Sequence, residues 1–499
     1  MDSSQPLVEA LAQTIVGEVR DDEATLQAFS TDNSLFSVRP SVAVFPRDAR
    51  DVEKLVSLVS ERRKTGEHIS LTGRSAGTDM SGGPLTESIV VSFTEHFSRI
   101  GTVGDGYAEV EPGVYYRDFE RATLAKGLLL PCYTASRDLC TVGGMVANNS
   151  GGERSLAYGK TADYVESLQV VLADGSEHTL RRLSMSELAV EKQEPGFMGN
   201  IYRQMHKLVV DNSDLLAKAK PRVSKNSAGY ALWDIFDKQR DTFDLTRLFV
   251  GAQGTLGLTT DIRFRLVRPK AHRRMLVISL KDLAHLPEVT ARILRYQPET
   301  FESYDDHTFT IALKYLPSIL RRALSGNLLL AGLRLLPAAW SIAFGGVPAL
   351  VLLAEFTSDD ALKAAEQVAA AEKSLGDLPV RTRVTSSAAE ANAFLTIRRE
   401  SFSLLRQHVR GMRTAPFIDD FVVPPAVLHD FFPELYAILN ASHLTYTVAG
   451  HIGDGNFHII PLMPLHDPNL ARIIPEIADK VYSLVLRYGG SITGEHNDG

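Results

Sequence analysis

Three glycine-rich stretches limit what this chain can become: GRSAGTDMSGG at 73–83, TVGGMVANNSGG at 141–152 and GAQGTLG at 251–257. The first reads as a loop after a strand, where backbone N–H groups can cradle phosphate, and the other two are glycine-rich segments that sharpen the case. The first follows an apolar strand at 68–72, in a β-α-β unit with a strand at 42–45 and a helical pattern over 49–63. No Gly-Lys-Ser/Thr closes that loop and its spacing is not GxGxxG, which excludes a P-loop and a Rossmann fingerprint. One glycine turn can be purely structural. Three in one domain point to backbone wrapped around a long diphosphate-containing ligand.

Further strands are expected in the run SIVVSF, over 167–172 and over 259–267, with helices at the amino end and over 115–126. Beyond residue 270 the character changes. Amphipathic helices, such as 358–375, alternate with separated strands up to about 465, and no comparable glycine loop recurs. Pro269 ends a strand, so a domain boundary is expected at 268–270. A chain of 499 residues exceeds one ordinary core, and two or three domains are expected.

The reactive residues gather near the carboxyl end, in HIGDGNFH at 451–458 and GEHNDG at 494–499. With Asp454 and Gly455 as a two-residue type I′ turn, His451 would face His458 across a hairpin. Directly opposed Cβ atoms lie about 4.5–5.5 Å apart, within reach of one divalent ion. Glu495 would complete a two-histidine, one-carboxylate set with open positions, leaving His496 for proton transfer. Such a histidine pair can also simply pack. The glycines on the reversal favour the metal, because they specify register where opposed side chains must meet.

A formal charge of −7 and the lack of a long Lys/Arg run give no reason to expect a nucleic-acid partner. Cys132 and Cys140 are the only cysteines, too few for an iron–sulfur cluster of the chain's own or for a disulfide scaffold. The amino end lacks a basic n-region followed by an apolar core, so a cytoplasmic location is expected. Residues 335–354 are uncharged over a bilayer's length, but two prolines and a Gly-Gly interrupt them and favour a buried strand. Residues 318–336 set Arg321, Arg322 and Arg334 among leucines. That pattern suits core packing, with a peripheral contact to the inner face of a membrane or to a partner as the alternative.

The five motifs, in this order, resemble the FAD-linked oxidase family with a vanillyl-alcohol-oxidase type flavin domain, and within it the D-2-hydroxy-acid dehydrogenases. The resemblance covers about 25–270 and 345–499. It implies an α+β fold: a two-part FAD-binding domain at 37–269 after an N-terminal helical segment at 1–36. An antiparallel-sheet cap with helices would follow at 270–468, and a return segment at 469–499. Carried over by position, Thr72, Gly73, Arg74, Ser75, Ala76, Gly77 and Thr78 would hold the FAD diphosphate. Ser136, Thr141, Gly143, Gly144, Asn148, Ser150 and Gly151 would line the rest, with Gly254 and Thr255 near the adenine end or the flavin edge. His451, His458 and Glu495 match the family's metal ligands, His496 its catalytic base, and Arg398 or Arg399 its arginine for the substrate carboxylate. Asn226 and Tyr230 in KNSAGY resemble a segment lining the active site.

Three departures matter. Gln253 replaces a common acid, Asn497 replaces a common glycine, and no histidine in the first loop suits a covalent flavin link, so FAD is expected to be non-covalent. The family's helix and Asn-Pro-Gly tail are missing, so the sequence is expected to be a piece of a longer protein, with its activity as it stands in question. The expected reaction is oxidation of a D-2-hydroxy acid to the 2-oxo acid, assisted by a divalent metal, zinc. Electrons would leave to a quinone, an electron-transfer flavoprotein or an iron–sulfur module. The rival readings are a metal-independent FAD oxidase of alcohols and a catalytically silent flavoprotein that docks an electron-transfer partner.

Overall fold

A computed structural model describes residues 6–306, 348–396, 398, 412–442, 444–464 and 466–497. They form three sheets. The first comprises β1 (Glu18–Arg20), β2 (Val42–Phe45), β3 (Leu71–Arg74) and β4 (Ile89–Ser92) in the order β1-β2-β4-β3, with β4 parallel to both β2 and β3. β2 and β4 are buried along their whole length, as strands covered on both faces require. The covering helix, Ala49–Lys64, is capped by Asp48, whose carboxylate accepts the Asp51 N–H, and it buries Val52, Leu55, Leu58 and Val59 on one face. β3 is shifted toward the loop from the expected 68–72, because its pairing with β4 begins at Leu71 opposite Ile89 and continues through Gly73 to Arg74. A Cβ at Gly73 would stand 3.1 Å from the Leu258 side chain, so the strand passes close to the second sheet.

That second sheet is antiparallel. It contains β5 (Ile100–Val103), β6 (Tyr107–Val110), β7 (Val165–Val171), β8 (Glu177–Ser184), β9 (Phe236–Asp237), β10 (Thr242–Asp244) and β11 (Leu258–Arg265), in the order β5-β6-β11-β7-β8-β10-β9. Along β11 Leu258, Thr260, Ile262 and Phe264 are buried while their neighbours are not, the alternation of a sheet with one wet face. The third sheet begins at β12 (His272–Leu280). It continues with β13 (Thr300–Asp305), β14 (Leu350–Ser358), β15 (Arg381–Val384), β16 (Arg413–Thr414), β17 (Phe421–Val422), β18 (Thr445–His451) and β19 (Asn456–Met463). Its order is β15-β12-β14-β13-β18-β19-β16, and β17 also pairs with β19. Phe421, Phe431, Phe432 and Phe457 pack beneath it with the helices Leu428–Ala441 and Leu470–Arg487.

Among the described residues no helix is long and apolar enough to cross a membrane. β14 supplies the buried strand expected within 335–354. Residues 335–347 and the leucine- and arginine-rich 318–336 lie outside the described residues.

The histidine hairpin forms between β18 and β19 in a register that corrects the expected one. Ile452–Asp454 make a 3₁₀ turn and Gly455 follows at φ +69°, so the loop has four residues, and His451 pairs with Asn456 while His458 pairs with Ala449. Two interactions draw the turn inward: the Asp454 carboxylate meets Lys225 at 3.1 Å, and the Asn456 amide donates to Asp420 and to the Phe421 carbonyl. The slip is an even one, so both histidines keep the same face. They meet diagonally, with ring centroids 5.3 Å apart and planes at 90°.

Candidate active site

A cavity of about 1150 Å³ lies where the three sheets meet. The first glycine loop leaves β3 along one wall. The helix Val142–Asn148, capped by Thr141, whose hydroxyl accepts the Gly144 N–H at 3.3 Å, forms another. Gly143 permits this approach, because a Cβ there would stand 2.6 Å from the Pro112 carbonyl oxygen. Of the residues expected to hold the cofactor, Thr72 and Thr255 do not reach the cavity; the others line it. Thr72 lies inside the β3–β4 ladder, and Thr255 Oγ1 lies 2.7 Å from the Tyr230 hydroxyl at the half-exposed edge. The Arg74 guanidinium donates to the Phe29 and Thr31 carbonyls and stacks on Phe29, so it ties the loop down and leaves the backbone to face a ligand. Asn226 lies off the cavity and accepts the Ser491 hydroxyl.

The residues present fit FAD. The cavity is lined by glycine-rich backbone, and the buried Asn148 Oδ1 on its wall has no hydrogen-bond partner among the described residues, an acceptor left for a ligand.

At the other end His451, His458 and Glu495 converge, with one ligand atom from each lying within 4.8 Å of the others. Glu495 Oε2 lies 3.4 Å from His451 Nε2 and 3.9 Å from His458 Nε2. Donors about 2.0–2.1 Å from one tetrahedral ion stand roughly 3.3–3.4 Å apart, so this triad fits a divalent metal with little movement. A second group, Asp419, His458 and His496, also clusters, but there Asp419 Oδ2 is 3.1 Å from His496 Nδ1. The His458 Nδ1–H donates to the Asp419 carbonyl at 3.0 Å, which turns Nε2 toward Glu495.

Several groups that hold these residues escaped the sequence reading. Asp420 Oδ2 accepts the N–H groups of Gly494, Glu495 and His496 at 2.7–2.8 Å and the Thr493 hydroxyl at 2.8 Å. The Asn148 amide donates to the Glu495 carbonyl at 2.7 Å, and Ser81 donates to that of His496 at 2.8 Å. Lys225, fully buried, donates to Glu495 Oε1 at 2.5 Å, and Lys160 donates to the Gly494 carbonyl at 2.8 Å. Lys225 opens the KNSAGY segment already singled out, and adjacent acids before an apolar run were the visible signal for Asp419 and Asp420. Nothing local marked Lys160.

Electrostatics follow this wiring. Burial opposes ionisation of Glu495, yet Lys225 and the histidines outweigh it and hold the carboxyl well below its usual range. Burial lowers the pKa of His458. Burial also acts against charge on His496, but Asp420 and Asp419 push it up to about 10. Arg398 lines the cavity, with its guanidinium 2.5 Å from Glu302; Arg399 lies outside the described residues.

Comparison with known proteins identifies domains along the chain. A model of the FAD binding domain matches residues 40–181, and one of the C-terminal domain of FAD linked oxidases matches 269–499. The D-2-hydroxyglutarate dehydrogenase of Pseudomonas putida is 27% identical over 97% of this chain and 47% of its own length. The chain thus spans about half the length of the first curated relatives it matches. Glycolate oxidase subunit GlcD of Bacillus subtilis is 24% identical over 92% of this chain and 81% of that protein. The fold matches alkyldihydroxyacetonephosphate synthase with a TM-score of 0.67 at 14% identity, over 98% of this chain and 83% of that one. With both domain models in sequence along it, the chain belongs to the FAD-linked oxidase family.

Proposed function

We propose that this chain oxidises a D-2-hydroxy acid to its 2-oxo acid, with FAD held non-covalently by the glycine loops and a divalent metal, zinc, held by His451, His458 and Glu495. The observation that carries the reading is the opening of that triad into the cavity the glycine loops line. Relatives named D-2-hydroxyglutarate dehydrogenase and glycolate oxidase subunit support the substrate class. Gly73 to Thr78, the segment from Thr141 to Gly151, and Gly254 would hold the flavin nucleotide. When bound, FAD accepts the hydride equivalent from the carbinol carbon and the metal acts as a Lewis acid on the hydroxyl oxygen.

The chain's own groups do the rest. His496, with Nδ1 engaged by Asp419, takes the hydroxyl proton at Nε2. Asp419 and Asp420 raise its imidazole pKa to about 10, and the charge of a divalent ion held by His451, His458 and Glu495 would act against that shift. Arg398 or Arg399 orients the carboxylate through charge-assisted hydrogen bonds. Electrons then leave to a quinone, an electron-transfer flavoprotein or an iron–sulfur module, in a cytoplasmic setting with or without peripheral membrane contact.

Anaerobic mixing of the purified flavoprotein with a panel of D- and L-2-hydroxy acids tests the reading, with metal analysis on the same sample. Bleaching of the flavin by D-acids, and its loss in His458→Ala with FAD retained, are expected. Undiminished bleaching in a strong chelator would overturn the metal assignment, and peroxide formation from simple alcohols would favour the metal-independent oxidase.

A further inference from the structure

We infer that Glu302 is a positioning residue that fixes the metal-facing nitrogen of His451 and the guanidinium of Arg398 with one carboxylate. The inference rests on the proposed reading of the site and extends it to a residue outside the ligand and base set.

Glu302 lies on β13, beside β18. Ser303 pairs with Gly450 and Tyr304 with Ala449, so the same register brings Glu302 opposite His451. Cross-strand neighbours in an antiparallel ladder are close enough for their side chains to meet. Glu302 Oε1 lies 2.7 Å from His451 Nδ1, and Oε2 lies 2.5 Å from Arg398 Nη2. An ionised carboxylate only accepts, so Nδ1 carries the hydrogen and Nε2 is presented to Glu495 at 3.4 Å. That is the orientation a metal ligand needs, and an outer carboxylate of this kind fixes both the tautomer and the ring plane.

The placement is costly without such a role. Glu302 is 0% exposed on a strand buried throughout. A fully buried ion pair is seldom worth more to folding than apolar residues of the same volume. Here both oxygens are committed to groups on the cavity wall: the histidine at the metal triad and the arginine facing the substrate end. One rigid carboxylate therefore sets the spacing between the metal's place and the carboxylate's anchor.

Glu302→Gln tests this in the purified flavoprotein. Zinc affinity, measured by competition with a chromophoric chelator, is expected to fall 10- to 100-fold, about the usual cost of removing such a partner. Oxalate affinity, read from the perturbed flavin absorbance, is expected to fall with it, while FAD stoichiometry stays at the wild-type value. Glu302→Asp keeps the charge but is one methylene too short to reach both partners, and it should weaken both ligands. It decides the matter if the glutamine variant fails to fold. Wild-type affinity for zinc or for oxalate in the folded variant overturns the inference, even if thermal stability falls. Should the wild-type protein itself bind no zinc and respond to no hydroxy acid, the proposed function falls first; if it does both and Glu302→Gln matches it, only the role of Glu302 falls.

Discussion

Lys225 carries the sharpest consequence at the scale of single residues. Its ammonium is buried between Glu495 and Asp454, and the two acids outweigh desolvation to raise its pKa. Removing one partner of a buried ion pair strands the other, so Lys225→Met should lower stability by about 3–5 kcal/mol in urea unfolding. A loss under about 1 kcal/mol would mean that the two carboxylates are relieved by other groups. Asp420→Asn should be comparably harmful, since Oδ2 accepts four donors and Oδ1 accepts the Asn456 amide, so an amide nitrogen faces a donor in either orientation. A drop of about 3 kcal/mol, with zinc binding lost, is expected. Little of this was legible locally, beyond the adjacent acids at Asp419 and Asp420 and the KNSAGY segment that Lys225 opens. The histidines and Glu495 stood out as reactive types in short strings, whereas Lys225, Asp420 and Glu302 acquire meaning only from partners far away in sequence. Asn497 is the intermediate case: at φ +68° it occupies a backbone state that favours glycine and that asparagine tolerates better than most residues, which accounts for its standing where glycine was expected.

At the scale of elements, the sequence marked where the reversal between β18 and β19 falls but not how many residues it takes. The Asp-Gly pair satisfied a two-residue turn, yet the contacts of Asp454 and Asn456 with distant groups selected a four-residue one. Gly455 follows from this geometry. A Cβ there would stand 1.9 Å from the Val423 carbonyl oxygen, at a φ that already disfavours side chains. Gly455→Ala should therefore cost about 2 kcal/mol or more in thermal unfolding and reduce zinc binding while leaving FAD in place. β11 offers a separate test through pH. Burial raises the Asp261 pKa from 3.8 to about 6, with Arg99 opposing the shift and nearby acids adding to it. A raised carboxyl favours the protonated folded state, so its contribution is full below about pH 4 and is lost as pH rises through 6. Asp261→Asn should then be more stable than wild type at pH 7, by up to about 3 kcal/mol for a rise from 3.8 to about 6 and by less as solvent screens this partly exposed group, with the difference vanishing near pH 4. Equal melting curves at pH 7 would show that Arg99 fully compensates the charge.

Across the whole molecule, the ordered motifs pointed to the α+β class through the family they resemble. The way one site draws on all three sheets could not be read from the sequence, because the cavity is walled by segments that meet only in the folded chain. A ligand that binds only that assembly stabilises it by mass action. Zinc at a hundredfold excess over its dissociation constant should add about 2.7 kcal/mol to the wild-type protein and nothing to His451→Ala. Differential scanning calorimetry with and without zinc checks this.

The anchoring of Gly494 to His496 has a consequence for traffic. Its carbonyls are bonded to Lys160, Asn148 and Ser81 on the nucleotide side, and its amides to Asp420 on the opposite body. The two bodies cannot swing apart without breaking this segment's hydrogen bonds on one side or the other. Such a rivet favours a joint that stays shut, since each buried hydrogen bond left unmade costs about 1–3 kcal/mol.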